Sequence, residues 1–127
     1  MTAQKIRDEI ERIEEAYEYM LAYAAQGRSE EGAGPDGAHI RDFLGQFLKA
    51  VNTLDTLSAS FVEENTASAG FFEGFGHETA VMRSVLEILL GSENISSEAI
   101  DNTNGLIAVR AYLTSLFFID KVLLGRT

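Results

Sequence analysis

The sequence predicts an all-α protein, an antiparallel four-helix bundle that pairs into a dimer. Three observations carry this. Apolar residues recur at helical spacing in four stretches, about 3–26, 37–65, 68–90 and 97–124. The one proline, Pro35, falls between the first two, so no stretch is interrupted by a residue that cannot donate to the helix. Nowhere does period-two alternation persist, and no hairpin dipeptide joins two apolar runs. A chain of 127 residues, 46% of them hydrophobic, suits a single domain with a core of its own.

The first helix places Ile6, Ile10, Ile13, Tyr17, Met20 and Ala24 in steps of four and three, a heptad seam with acids and bases elsewhere. Gly27 stands where a left-handed C-cap residue belongs. The run "GRSEEGAGPDG" (27–37) then reads as a loop, expected to be the most mobile part, with Asp36 as N-cap of the second helix. That helix carries Ile40, Phe43, Leu44, Phe47, Val51, Leu54, Phe61 and Val62 on one side. The third gathers Phe71, Phe72, Phe75, Met82, Leu86 and Leu89, and ends before Gly91. Ser96 is the expected cap of the fourth.

The fourth helix is apolar on two sides. Leu106, Val109, Leu113, Leu116 and Phe117 form a core stripe, with Arg110 and Asp120 close to it and expected to be buried or half-buried, in ion pairs or anchoring a ligand. Ile107, Ala111, Phe118 and Val122 form a second stripe, roughly opposite. A helix that is apolar all round is normally buried all round. The second stripe is therefore read as an interface with a second copy or another protein. Phe71 and Phe72 are assigned to the same spare apolar surface.

Composition narrows the function. There is no cysteine, which removes disulfides, thiolate metal sites and cysteine nucleophiles and suits a reducing compartment such as the cytoplasm. The N-terminus "MTAQKIRDEIERIEE" is charged, with no apolar leader. Ten basic against 20 acidic residues give a net charge of −10, spread along the chain, which opposes nucleic acid and anionic membranes as partners. The most apolar run, "GLIAVRAYLTSLFFIDKVLL", is broken by Arg110, Asp120 and Lys121 and does not read as a membrane span.

Several short patterns invite chemistry. "GAGPDG" matches G-x-G-x-x-G, but no strand precedes it, so the dinucleotide geometry is missing. "GFFEGFGHET" lacks the Lys-Ser/Thr of a phosphate-gripping loop. His77 is expected to face outward beside Glu73, one helical turn earlier, and no metal or cofactor is expected. "HETAV" resembles the histidine–glutamate opening of histidine-kinase dimerisation helices, and that resemblance implies a phosphoacceptor role for His77. Glu15–Glu18 and Glu98–Asp101 resemble the carboxylate pairs of helical nucleotide pyrophosphatases, although in that family the pairs lie closer in sequence. "IRDEIERIEE" resembles the first helix of the all-helical chorismate mutases. Arg7 matches one basic group of that family, while Ala24 and Ala25 stand where its second arginine would fall.

The reading that follows is a cytoplasmic, non-catalytic accessory, adaptor or chaperone-like protein that acts through helical surfaces and binds itself and another protein. The alternatives are a small-molecule or anion-binding helical-bundle enzyme or sensor anchored on Arg110, and a phosphotransfer protein using His77.

Overall fold

The computed structural model describes residues 2–32 and 35–125, for 35–38 the backbone alone. Among them are five α-helices and no strand: α1 (Thr2–Ala25), α2 (Pro35–Glu64), α3 (Ala69–Leu90), α4 (Ser97–Gly105) and α5 (Ile107–Phe118). A 3₁₀ turn (Thr66–Ser68) leads into α3, and a π-helical turn (Ile119–Leu123) follows α5. No helix among the described residues is long and apolar enough to cross a membrane.

In α1, Ile6, Ile10, Ile13 and Met20 are buried, but the seam then includes Ala16 and Tyr23 where the heptad expects Tyr17 and Ala24. A straight helix turns every 3.6 residues rather than 3.5, so its buried face drifts off a strict heptad. Gly27, at φ 66°, turns the chain out of α1. Helix α2 begins at Pro35, which suits the first helical position, so Asp36 lies within the helix and is not its cap.

Each successive long helix runs back along the one before it. Tyr19, late in α1, stacks on Phe43, early in α2, at 4.3 Å between ring centroids. Phe61 and Phe72 meet at 5.7 Å across the α2–α3 turn. At the far end of the same pair, Arg41 Nη1 donates to Leu90 O at 3.0 Å. Phe72, Phe75, Met82, Leu86 and Leu89 of α3 point into the core. Beta-carbons added at Gly70, Gly74 and Gly76 would meet nothing within 4 Å, so close packing does not explain these glycines.

The expected fourth helix is corrected: it is two helices. Leu106, at φ −64° and ψ 133°, is extended and separates α4 from α5. The break lets the chain change neighbours, because α4 packs on α1 whereas α5 packs on α3. It also turns the buried face of α5 to Val109, Tyr112 and Leu116. Tyr112 stacks on Phe75 at 5.1 Å, while Leu106 and Phe117 of the expected core stripe are exposed.

One end of the molecule is held by a clasp of hydrogen bonds. Arg41 grips Glu31 in a two-pronged pair at 2.9 and 2.7 Å. The same guanidinium donates to Leu90 O, Ser92 O at 2.7 Å and Glu93 O, the carbonyls left open where α3 ends. Glu31 Oε1 also accepts from Ile95 N at 2.8 Å, and Asn94 bonds both Glu31 N and Ser29 O. Ser97 exchanges bonds with the Arg28 backbone and donates to Tyr23 O, while the Tyr23 hydroxyl donates to Ile95 O at 2.6 Å. The run expected to be the most mobile loop is thus tied down over Arg28–Glu31 by side chains distant in sequence.

The side chain of Glu31 is only 14% exposed, so removing Arg41 strands a carboxylate with little water around it. Arg41→Met should cost about 2–4 kcal/mol in urea unfolding. It should also speed hydrogen exchange at Glu31 and Ile95. A loss under about 0.5 kcal/mol would mean the pair behaves as an ordinary surface bridge.

A second test concerns Tyr112. Its hydroxyl is buried without a partner. Burial first, and then the Asp55 carboxylate, raise its phenol above the ordinary 10.0. Tyr23 is pushed the same way, by burial and then by Glu31. The unfolded chain therefore releases these protons first as pH climbs. Their titration leaves stability untouched below pH 10.0 and erodes it as pH rises above that value. Tyr112→Phe should gain about 1 kcal/mol near neutral pH, because no hydrogen bond is lost. It should also lose less stability between neutral and strongly alkaline pH than the parent does. A destabilised variant at neutral pH would contradict the unpaired hydroxyl.

Candidate functional site at the helix break

The break between α4 and α5 leaves several backbone groups without partners among the described residues. Leu106 N donates to Thr103 O and Arg110 N to Leu106 O, both at 3.1 Å. Between them, the N–H groups of Ile107, Ala108 and Val109 open the first turn of α5. None has a partner among the described residues. At the start of α4, by contrast, Ser96 Oγ accepts from Ala99 N at 3.0 Å. Leucine has no side-chain acceptor to offer and is among the poorest N-cap residues.

Beside the break lies a cleft of about 610 Å³. Tyr17, Leu21 and Ala24 of α1 form one wall. Asp101, Asn104 and Gly105 of α4 form the other, and Leu106 and Arg110 close the α5 side. Arg110 is exposed, which corrects the expectation that it is buried or half-buried, because the buried face of α5 is Val109, Tyr112 and Leu116 and Arg110 lies well round the helix from it. Neither Arg110 nor Asp101 makes a side-chain hydrogen bond or ion pair among the described residues, and they do not pair with each other. Asn104 is 8% exposed. Its Nδ2 reaches Met20 O only at 3.4 Å, and its Oδ1 has no partner.

Further along the α1–α5 seam is a groove of about 250 Å³. Ile10, Leu113 and Phe117 line it together with Glu14, Glu18 and Asp120. Asp120, expected to be buried or half-buried in an ion pair, is half-buried and faces Arg7 Nε at 3.8 Å and Lys121 Nζ at 3.6 Å. Arg7 Nη2 also donates to Leu124 O at 2.7 Å, which holds the end of the π-helical turn against α1.

On the outer side of α5, Ile107 is 84% exposed, Phe118 41% and Val122 39%, with Ala111 half-buried. Leu106 and Phe117 are exposed as well, so five of the eight large hydrophobic residues exposed among the described residues lie between 106 and 122. No acidic residue stands between Asp101 and Asp120, although acids number 20 in the chain.

Phe72 does not belong to this surface. It is buried, and with Phe61 and Phe75 it fills the α2–α3 end of the core. Phe71 is half-buried and bridges that cluster to Phe118, 5.1 Å away. His77 is exposed on α3, and no hydrogen bond or ion pair joins it to Glu73. His39 lies edge-on to Tyr19, far in sequence from the break. Among the described residues no three His, Cys, Asp or Glu side chains come together in a way that could hold a metal ion.

No family model, curated protein or solved structure matches the chain.

Sequence reasoning missed the break, and with it the cleft. The signal was present in "NTNGL": Asn104-Gly105 is a turn dipeptide, and Asn, Thr and Gly all disfavour a helix interior. The uncapped start of α5 gives a direct test. Leu106 is 44% exposed, so Leu106→Asp sacrifices little packing and supplies an acceptor to the open N–H groups. It should raise unfolding stability by about 1 kcal/mol. A destabilised variant would show that Leu106 contributes more by contact than a cap would by hydrogen bonding.

Proposed function

We propose that the protein is a non-catalytic interaction module, a four-helix bundle in which α4 and α5 together serve as the fourth helix, and that it works as a homodimer joined through α5. The observation that carries this is the exposed, acid-free strip of α5. A molecule with a net charge of −10 repels its own copy over most of its surface. Two copies can approach where acids are missing and apolar side chains stand in water. Ile107, Phe118 and Val122, doubled by a two-fold axis, offer six large side chains for burial. Each contributes up to roughly 1.5–3 kcal/mol when fully buried, against an association cost of several kcal/mol. Once α5 is paired, the remaining acidic surface is left for a basic or mixed-charge protein.

A second reading, a small-molecule site anchored on Arg110, is favoured by one observation: its guanidinium stands unpaired at the cleft.

Light scattering on the purified chain should give a dimer at tens of micromolar. Phe118→Glu should convert it to monomer with helix content unchanged, because a buried unpaired carboxylate costs several kcal/mol. Added salt should tighten the dimer, since it screens the repulsion between two acidic molecules. A parent chain that stays monomeric at every salt concentration would refute self-pairing.

A further inference from the structure

The cleft at the helix break and the groove beyond it are consecutive parts of one seam. Tyr17 lines both. On α5, Leu106 and Arg110 line the first part, and Leu113 and Phe117 the second, at the spacing of a single helical face. On α1 the lining runs through Ile10, Glu14, Tyr17 and Leu21 at the same spacing. The seam is open because its two walls pack elsewhere: α1 lies on α2 and α4, and α5 lies on α3. Beyond Phe117 it is closed where Arg7 holds Leu124 O and faces Asp120. From Ile10 to Leu21, and from Leu106 to Phe117, each wall advances about 11 residues, or about 16 Å.

The floor of the seam is apolar. Leu21 is 48% exposed, Leu106 44% and Phe117 62%, with Tyr17 and Leu113 half-buried above the buried Ile10 and Leu116. The rim of its Phe117 half is acidic. Glu14 and Glu18, one turn apart on α1, are exposed, and neither makes a hydrogen bond or ion pair among the described residues. Like charges at that spacing repel, and a cation between them relieves the repulsion. Residues 13–27 contain no Lys, Arg or His to do so. Asp120 completes the rim. Beside it, the chain's own Lys121 shows what this corner accepts: its ammonium lies 3.6 Å from Asp120 and 5.8 Å from the centre of the Phe117 ring. Arg110, at the Leu106 end, is the one basic residue lining the seam, and Asp101 lines that same end.

Apolar surface of this length, flanked by charge of one sign, is how helix-binding grooves are built. A second copy of the chain, at a net charge of −10, is opposed by the acidic rim. Resting on the reading of the protein as an interaction module, we propose that the α1–α5 groove docks a basic amphipathic helix of about three turns, about 16 Å long, from a partner protein. The apolar face of that helix lies on Tyr17, Leu113 and Phe117, and a leucine-sized side chain enters the hollow of about 250 Å³ between them. Lysines on its flanks meet Glu14, Glu18 and Asp120. This surface is separate from the Ile107–Phe118 strip. Neighbours on a helix point about 100° apart, so Phe117 lines the groove while Phe118 turns toward Phe71.

The test is a titration of the isotopically labelled full chain with a synthetic peptide of about 14 residues, built of leucine, alanine and lysine with the leucines on one helical face. Backbone amide shifts should concentrate at residues 10–21 and 106–117. A scrambled peptide of the same composition, and one with glutamate for every lysine, should each bind at least about tenfold more weakly. Phe117→Ala should weaken binding about tenfold, and the double change Glu14→Lys with Glu18→Lys at least as much, both with helix content unchanged. Phe118→Glu should leave peptide binding in place. Added salt should weaken peptide binding, the opposite of its expected effect on the dimer. Equal binding of the scrambled peptide, or shifts scattered over the acidic surface, would reduce the attraction to net charge and overturn the groove. A dimer lost on Phe117→Ala but kept on Phe118→Glu would put a second copy in the groove, and the proposal would fall together with the assigned self-pairing strip. Absence of binding at hundreds of micromolar peptide overturns the proposal alone, since a dimer lost on Phe118→Glu would still uphold self-pairing.

Discussion

The pairing of Arg41 with Glu31 is the constraint on which the rest of the structure depends. It is a charge pair with both partners largely sheltered, and its remaining hydrogen-bonding capacity is spent on backbone. Arg41 collects the open carbonyls at the end of α3, and Glu31 receives the Ile95 amide. Two connections far apart in sequence are thereby laid side by side. A buried charge pair earns stability only when such additional bonds accompany it, and here they do. Because the partners are fixed in geometry, the pair also sets where α4 starts.

That starting point has consequences downstream. Ser97, bonded to Tyr23 and to the Arg28 backbone, places the first turn of α4 against the end of α1. From there α4 packs along α1, whereas the apolar face of α5 finds its place on α3, with Tyr112 on Phe75 and Ser115 donating to Glu78 at 2.6 Å. One straight helix does not serve both neighbours, and the extended Leu106 is where the direction changes. The weak helix formers just before it make that position the cheapest place to break. The uncapped N–H groups, the exposed Arg110 and the cleft all follow from this one residue.

The same change of direction explains the exposed surface of α5. Leu106 and Phe117 are exposed, while Leu113 packs at the edge of the core. With its buried face turned to Val109, Tyr112 and Leu116, α5 shows water a broad apolar arc. This exposed apolar surface, in a chain otherwise rich in acids, is what supports the proposed self-pairing. The cleft, by contrast, is polar on one side and apolar on the other, the mixture typical of small-ligand sites.

The all-helical class, the burial of Ile6, Ile10, Ile13 and Met20, the turn at Gly27 and the cap at Ser96 were all legible in the sequence. Each depends on residues within a turn or two of one another, and spacing along the chain reports such relations directly. The exposure of Ile107, Phe118 and Val122 also follows from spacing along one helical face. The place of Phe72 was not, because whether an aromatic ring is core or surface depends on the helix opposite, here Phe61 of α2. Nor was the tie between Arg28–Glu31 and Asn94–Ser97, whose partners stand more than 60 residues apart. Arg110 shows the limit most clearly. Its stripe lies on α5 alone, but the buried face of that helix is centred on Tyr112, which the stripe left out, and is set by the packing of α5 on α3. That choice depends on contacts between distant segments, and only the tertiary structure contains it.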